Sequence, residues 1–361
     1  MPVAVGVDLG TTHCSIGVWH HDRPEIIANH HGLRATPTMV AFTDTEVLVG
    51  EAALTQMPKN IANTVFGFKW MVGQSQAQLE PHIKRMLDSA PFKCKFDGKN
   101  GAARVTVAHK GEDLTVGAET LCGHLFSHLR TIAEAFAGET IGKCVLSVPA
   151  GFTEEQREVL KSVGKQAGLP FSLVISDPVA AAVAYGLDRP DEEMGGSSRE
   201  GEESKPRNTM VVVDWGGGGV EVSVLKRSDG ILSVRGQASD PSIGGREFTN
   251  RLVAFCAKDF KRKTGGDIFE SKRAILKVTR GCEEAVRTLS VSTQADVYVE
   301  AAHEGCDMSV KVSRTRFEDL CFDLYKACAV TVGRALEVAG VTAEGVDTVL
   351  MAGGGRGKGL G

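Results

Sequence analysis

No apolar run in this 361-residue sequence approaches the ~18 residues that a membrane-spanning helix needs. No membrane association is therefore expected. None of the nine cysteines stands in a Cys-x-x-Cys pair, so a zinc site is not indicated, and an odd, scattered set makes a poor disulfide framework. The amino terminus also lacks the apolar helix of a secretory signal and has instead a period-two pattern ending in Asp8. A reducing, cytoplasmic setting is the expectation. Charge of one sign is scarce as well, with a net charge of -4, which gives no ground for specific nucleic-acid binding.

What the chain does have is an ordinary globular composition, 42% apolar and 24% charged, and enough length to bury a large core in two lobes. Within it one arrangement occurs twice. Val3, Val5 and Val7 alternate with Ala4, Gly6 and Asp8, the period of a buried strand with a carboxylate at its tip. Gly10 permits a tight turn, Thr11 and Thr12 follow with their hydroxyls, and Ser15 to Trp19 returns as a second strand. Further on, Val211, Val212 and Val213 lead into Asp214, Trp215 and the glycine run Gly216 to Gly219, before Val220 to Leu225 returns. A strand, an aspartate and a glycine turn suit a polyphosphate with its metal: backbone N–H groups cradle phosphate oxygens while the carboxylate holds a hydrated Mg²⁺. For either unit alone the alternative is an ordinary hairpin with a polar tip. Two such units half a chain apart predict a duplicated architecture with a ligand cleft between its halves, Asp8 and Asp214 both facing the ligand.

Other motifs fall between and beyond these hairpins. Val7-Asp8-Leu9-Gly10-Thr11-Thr12, Asn63-Thr64-Val65-Phe66 with Lys69, and Val148-Pro149-Ala150 come first. Asp177-Pro178 with Ala180-Ala181-Ala182, Ala184-Tyr185-Gly186-Leu187-Asp188, Gly244-Gly245 and Arg287-Thr288-Leu289-Ser290 follow. From Val3 to about Gly355 the chain resembles the nucleotide-binding domain of the heat shock protein 70 chaperones, members of the actin and sugar-kinase ATPase superfamily. The resemblance implies an α/β, actin-like ATPase fold of two lobes, each built on a duplicated sheet-and-helix unit. It also implies ATP or ADP with Mg²⁺ as cofactors.

Residue roles come with the resemblance. Asp8, Gly10, Thr11, Thr12, Gly216, Gly217, Gly218, Gly244 and Gly245 belong to the phosphate loops, with Asp8 and Asp214 holding Mg²⁺ through water. Lys69 reaches toward the terminal phosphate and the attacking water, and Thr11, Thr12, Asp177, Asp214 and Glu221 complete the catalytic set. Glu283 contacts ribose, Arg287 stacks its flat guanidinium on adenine, Ser290 lies beside them, and Gly353, Gly354, Gly355 and Arg356 form the adenosine turn. Adenine nucleotide is the implied ligand; a J-domain co-chaperone, a nucleotide-exchange factor or the ribosome is the implied partner.

At this site the sequence also departs from the family. Asp177 stands where the family has Glu and Glu221 where it has Asp, each moving a carboxylate by about one bond, ~1.5 Å. Gly219 removes a threonine hydroxyl near the phosphates, and Val286 replaces a lysine that bonds the ribose, a charge-assisted bond whose loss costs about 1.5–3 kcal/mol. Leu173 and Ser176 stand where J-domain co-chaperones meet an arginine and an asparagine. Such departures resemble the atypical, ribosome-associated branch of the family, and they predict hydrolysis slower than in an ordinary member.

Lobe one is expected over 1–187, a charged inter-lobe loop over 188–207 and lobe two over 208–361. The loop carries seven acidic and four basic residues with two prolines and three glycines, too little apolar surface to fold alone. Six of the last nine residues are glycine and no helix follows the adenosine turn, so lobe two reads as truncated, without a client-binding domain. His124 and His128 have i, i+4 metal-ligand spacing but no carboxylate beside them. Lys261, Arg262, Lys263, Lys272, Arg273, Lys277 and Arg280 form either a basic contact face or cationic helix ends that complement the dipole. The chain is read as an ATP-binding chaperone or co-chaperone domain that assists protein folding with slow ATP hydrolysis. The alternative is a non-catalytic ribosome- or co-chaperone-binding partner that retains only nucleotide binding.

Overall fold

The computed structural model describes residues 3–20, 23–98, 101–189, 208–229 and 231–354. Most of the charged segment expected over 188–207 lies outside the described residues, as do Gly355 and Arg356. The chain divides into two compact units, Met1–Asp177 and Pro178–Gly361.

The first unit opens with β1 (Val3–Asp8), β2 (His13–His20), β3 (Arg23–Ile26), β4 (Thr36–Pro37), β5 (Met39–Phe42) and β6 (Val47–Val49). It continues with α1 (Glu51–Gln56), β7 (Thr64–Phe66), α2 (Pro81–Ser89), β8 (Lys93–Phe96), β9 (Ala103–His109) and β10 (Glu112–Gly117). α3 (Ala118–Ala137), β11 (Ile141–Val148), α4 (Glu154–Gln166) and β12 (Phe171–Ser176) complete it. The main sheet has the order β12-β11-β1-β2-β3, with β4 on β2. Val5 and Val7 are buried while Ala4, Gly6 and Asp8 take the opposite face, so the period-two pattern fixes which side of β1 meets the core. Helix α3 buries the stripe Leu121, Leu125, Leu129 and Ile132 and stops at Gly138, whose φ of 67° is left-handed. Helix α4 starts on a reciprocal cap in which Thr153 and Gln156 each satisfy the other's backbone N–H.

α5 (Asp177–Ala184) begins at the last residue of the first unit and runs into the second. Asp177-Pro178 lies in the first helical turn rather than in a separate turn, a position where proline's missing N–H costs nothing. The second unit then has β13 (Thr209–Trp215), β14 (Val220–Ser228), β15 (Ile231–Asp240), α6 (Gly245–Thr264) and α7 (Lys272–Leu289). β16 (Gln294–His303), β17 (Cys306–Ser313), α8 (Arg314–Ala339) and β18 (Thr348–Ala352) follow. Its sheet runs β15-β14-β13-β18. In both units the strand ending in aspartate pairs antiparallel with the next strand and parallel with a later one: β1 with β2 and β11, β13 with β14 and β18. The duplication predicted from two short motifs is thus present in strand topology. Trp215 anchors the second core, edge-on to Phe248 and Tyr325 and with its indole N–H bonded to the Ile243 carbonyl at 2.6 Å.

Candidate nucleotide site

In the first unit Asp8 ends β1 exposed, opposite Ser15 of β2 and Ser147 of β11. Gly10 is fixed by packing, since a Cβ there would lie 2.0 Å from the His13 carbonyl oxygen. The turn is braced from outside. Thr38 donates its hydroxyl to the Gly10 carbonyl at 2.8 Å and its N–H to the Thr12 carbonyl at 2.9 Å. Cys14 packs beside it, Sγ 3.1 Å from the Thr38 hydroxyl, and burial pushes that thiol up to about 12, which leaves it an inert core group. Thr38 is a site residue that sequence reasoning missed; nothing in a threonine after Pro37 signals the carbonyl it will meet.

Lys69 follows Gly67, whose φ of 72° needs glycine, in the short turn Phe68–Met71. It is only 3% exposed, which rules out the solvated surface lysine that composition favours. Its Nζ lies 3.9 Å from Asp177 Oδ2, an ion pair rather than a hydrogen bond, and sits by the rings of Trp70 and Phe152 at 5.5 and 6.0 Å. The turn is tied to α4 by Gln156, which donates to the Val72 carbonyl at 3.0 Å. Burial raises the pKa of Asp177, opposed by Lys69, by a hydrogen bond from Ser147 and by Arg157. Asp177 Oδ1 is buried without a hydrogen-bond partner among the described residues. A buried carboxyl oxygen with no donor fits a water held by Mg²⁺ or phosphate as that donor.

The second unit repeats the design with different means. Asp214 faces Glu221 across β13 and β14, and Ala352 across β13 and β18. The Gly216 N–H bonds the Gly219 carbonyl at 3.0 Å, and the start of α6 closes on the loop: Gly245 N–H to Gly216 at 2.8 Å, Arg246 N–H to Gly217 at 3.1 Å. A Cβ on Gly244 would meet Gly219 N at 2.3 Å, and one on Gly353 would meet Asp214 Oδ1 at 2.5 Å. Gly353 therefore belongs to the aspartate's own surroundings. Gly354 has nothing within 4 Å of its Cβ position. Glu283 and Arg287 share the exposed face of α7, one turn apart, and Ser290 caps the helix with its hydroxyl 3.3 Å from the Val286 carbonyl. Val286 is fully buried in the core.

Gly219 is more than a lost hydroxyl. A Cβ there would lie 2.7 Å from Pro241 Cα and 3.0 Å from the Asp240 carbonyl, so backbone occupies the place a side chain would need. Gly219→Thr is accordingly expected to destabilise the protein by about 1–3 kcal/mol through overpacking and not to raise turnover. Thermal melting with single-turnover hydrolysis checks this; a stable, faster variant would show that the Pro241 turn yields.

Several of the other candidates have structural partners. Lys261 pairs with Asp267, Arg262 and Lys263 with Asp259, and Arg280 with Glu284, while Lys277 reaches the Ala301 carbonyl. His124 stands edge-on to Phe42 and His128 to His30. Among the described residues no three His, Cys, Asp or Glu side chains gather in a group that could hold a metal ion. No helix among them is long and apolar enough to cross a membrane.

The Hsp70 protein family model matches residues 4–356. The chain is 38% identical over 354 residues to Heat shock 70 kDa protein 2 of Paracoccidioides lutzii and 39% identical over 354 residues to Heat shock 70 kDa protein of Neurospora crassa. Each match covers 98% of this chain and 52% of the relative, so the chain spans about half the length of those proteins. Putative heat shock 70 kDa protein 7 of Homo sapiens is 38% identical over 352 residues, covering 98% of this chain and 91% of that protein. Twin aspartate hairpins in matching topology and a family match over nearly every residue converge: the chain belongs to the heat shock protein 70 family and has the actin-like ATPase fold of its nucleotide-binding domain.

Proposed function

We propose that this chain binds adenine nucleotide with Mg²⁺ and hydrolyses ATP slowly, as the nucleotide-binding part of a cytoplasmic chaperone or co-chaperone. The observation that carries the reading is Lys69, buried beside a carboxylate whose second oxygen has no donor. Such an arrangement costs stability and is repaid only when a ligand completes it. Asp8 and Asp214 supply hard oxygen donors for a hydrated divalent cation, and the cation, when bound, offsets phosphate charge. Thr11, Thr12 and the backbone of Gly216 to Gly218 hold phosphate oxygens. Lys69 offsets the charge that develops on the transferred phosphoryl group, and Asp177 orients the attacking water through its unpartnered oxygen. Glu283 and Arg287 bind the nucleoside.

A non-catalytic partner that keeps only binding is the weaker reading, because the Lys69–Asp177 pair is the part of the site that binding needs least. A J-domain protein, an exchange factor or the ribosome is the class of partner proposed, with Leu173, 52% exposed, an altered contact for the first of them. Titration calorimetry with Mg-ADP and Mg-ATP tests the reading. Heat release and a thermal upshift are expected; neither at millimolar nucleotide would overturn it.

A further inference from the structure

Ser223 is 1% exposed, and its hydroxyl is buried without a hydrogen-bond partner among the described residues. Its place in the sheet is fixed by register. On β14 it follows Glu221 by two residues and pairs with Val212 of β13, while Glu221 pairs with Asp214, so these side chains share one face of the sheet. The serine row lies directly behind the carboxylate row. Behind it in turn Met210 pairs with Leu225, and those two join Val212, Ala182, Leu187 and Leu350 in an apolar cluster. On the β15 side Ser223 pairs with Gln237, which is exposed.

The first unit supplies an internal comparison. There Asp8 pairs with Ser15 and Gly6 with Gly17, so Gly17 holds the place in β2 that Ser223 holds in β14. A hairpin of this design thus needs no side chain at that position, and next to Val212 an alanine would pack as well. A buried hydroxyl without a partner costs the folded protein stability. That cost is offset where a partner arrives with a ligand.

Glu221 is the partner in reach. Residues i and i+2 on one face of a strand stand about 6.6 Å apart, and a glutamate is long enough to bring a carboxylate oxygen within one hydrogen bond, or one bridging water, of the serine. Asp214 is a diagonal neighbour at about 7–8 Å, and its shorter side chain carries the carboxylate less far. Glu221 also has one more rotatable bond than the aspartate expected there from the family, and so more freedom to lose when it is held. Of its two oxygens one can accept from water on a hydrated cation; the other needs a donor from the protein if the carboxylate is not to swing. We propose that Ser223 is the positioning residue for Glu221, its hydroxyl donating to that second oxygen when Mg-nucleotide is bound, and that this bond strengthens the metal-dependent part of nucleotide affinity. The inference rests on the adenine-nucleotide reading above.

The test is calorimetric binding of Mg-ADP, and of ADP in excess EDTA, to wild type, Ser223→Ala, Ser223→Cys, Glu221→Ala and the Ser223→Ala/Glu221→Ala double variant, with the melting temperature of each ligand-free protein. Wild type is expected to bind Mg-ADP more tightly than metal-free ADP. Ser223→Ala is expected to weaken Mg-ADP about 3- to 10-fold, the range of one hydrogen bond, and metal-free ADP by less than about twofold. Its ligand-free melting temperature should stay level or rise, because an unpartnered hydroxyl has been removed. In the Glu221→Ala background the same substitution should cost no further affinity. Ser223→Cys, close in volume and a weaker donor, replaces the alanine variant if that one fails to fold. Equal loss with and without Mg²⁺, or a lower ligand-free melting temperature, would mean a merely structural serine and would overturn the proposal. Unchanged Mg-ADP affinity, a further loss in the Glu221→Ala background, or wild-type binding indifferent to Mg²⁺ would overturn it as well. Failure of wild type to bind Mg-ADP at all overturns the nucleotide reading itself, and so is distinguishable from failure of the inference.

Discussion

Lys69→Ala is expected to slow single-turnover hydrolysis of bound ATP by at least about 10²-fold while changing ADP affinity by less than about threefold. The asymmetry follows from where Lys69 lies. It belongs to the first unit, its near neighbours are Asp177, Trp70 and Phe152, and the residues proposed for the nucleoside, Glu283 and Arg287, stand on α7 of the second. In the proposed roles, with Asp177 orienting the attacking water, a cation that close to it acts on the charge that appears during transfer, not on the nucleoside. Stability should suffer less than the ~3–5 kcal/mol usual for breaking a buried pair. Burial already raises the Asp177 pKa, so the carboxyl can take up a proton once its partner is gone. Lys69→Met, which keeps contact with the rings, separates lost charge from lost packing. Unchanged turnover in both variants would remove Lys69 from the mechanism.

The parts of this site that were legible in the sequence are those whose chemistry is local. A strand of alternating valines, its aspartate and the glycine after it lie within a few residues, so their period and turn chemistry survive without knowledge of the fold. Thr38 and Gln156 were not legible, because each acts on a backbone carbonyl more than 25 residues away in sequence. The meaning of Gly219 was half legible: the missing hydroxyl is a sequence fact, but the Pro241 backbone in its place is a tertiary one. In β15 the structure shows why a glycine stands at Gly236, with the Ala335 carbonyl of α8 2.6 Å from where its Cβ would be. In β16 buried Ala295, Val297 and Val299 alternate with exposed Asp296, Tyr298 and Glu300, the period of a strand with one face on the core. At the end of α6, Lys261, Arg262 and Lys263 have acidic partners close in sequence, Asp259 on the same helix and Asp267 just beyond it.

Gly353→Ala is expected to cost at least about tenfold in Mg-ADP affinity and on the order of 2 kcal/mol in stability. Two penalties act together. At a φ of 85° the residue is left-handed, and an added Cβ would lie 2.4 Å from the Trp215 carbonyl and 2.5 Å from Asp214 Oδ1. Left-handed strain alone is worth roughly 1–2 kcal/mol for an L-residue. The clash is different in kind, because it is relieved only by moving the Trp215 carbonyl together with the Asp214 carboxylate, the group assigned to the hydrated cation. Gly340→Ala separates the two: Gly340 has a φ of 65° and nothing within 4 Å of its Cβ position, so it suffers strain without collision. That variant should melt lower and bind Mg-ADP as wild type does. Pairing Gly353→Ala with Asp214→Ala completes the argument for affinity: the collision with the Trp215 carbonyl remains and still lowers stability, but a methyl group that weakens binding by displacing a carboxylate has no carboxylate left to displace. The double variant should then bind no more weakly than Asp214→Ala alone; additive losses would place the effect of Gly353 elsewhere.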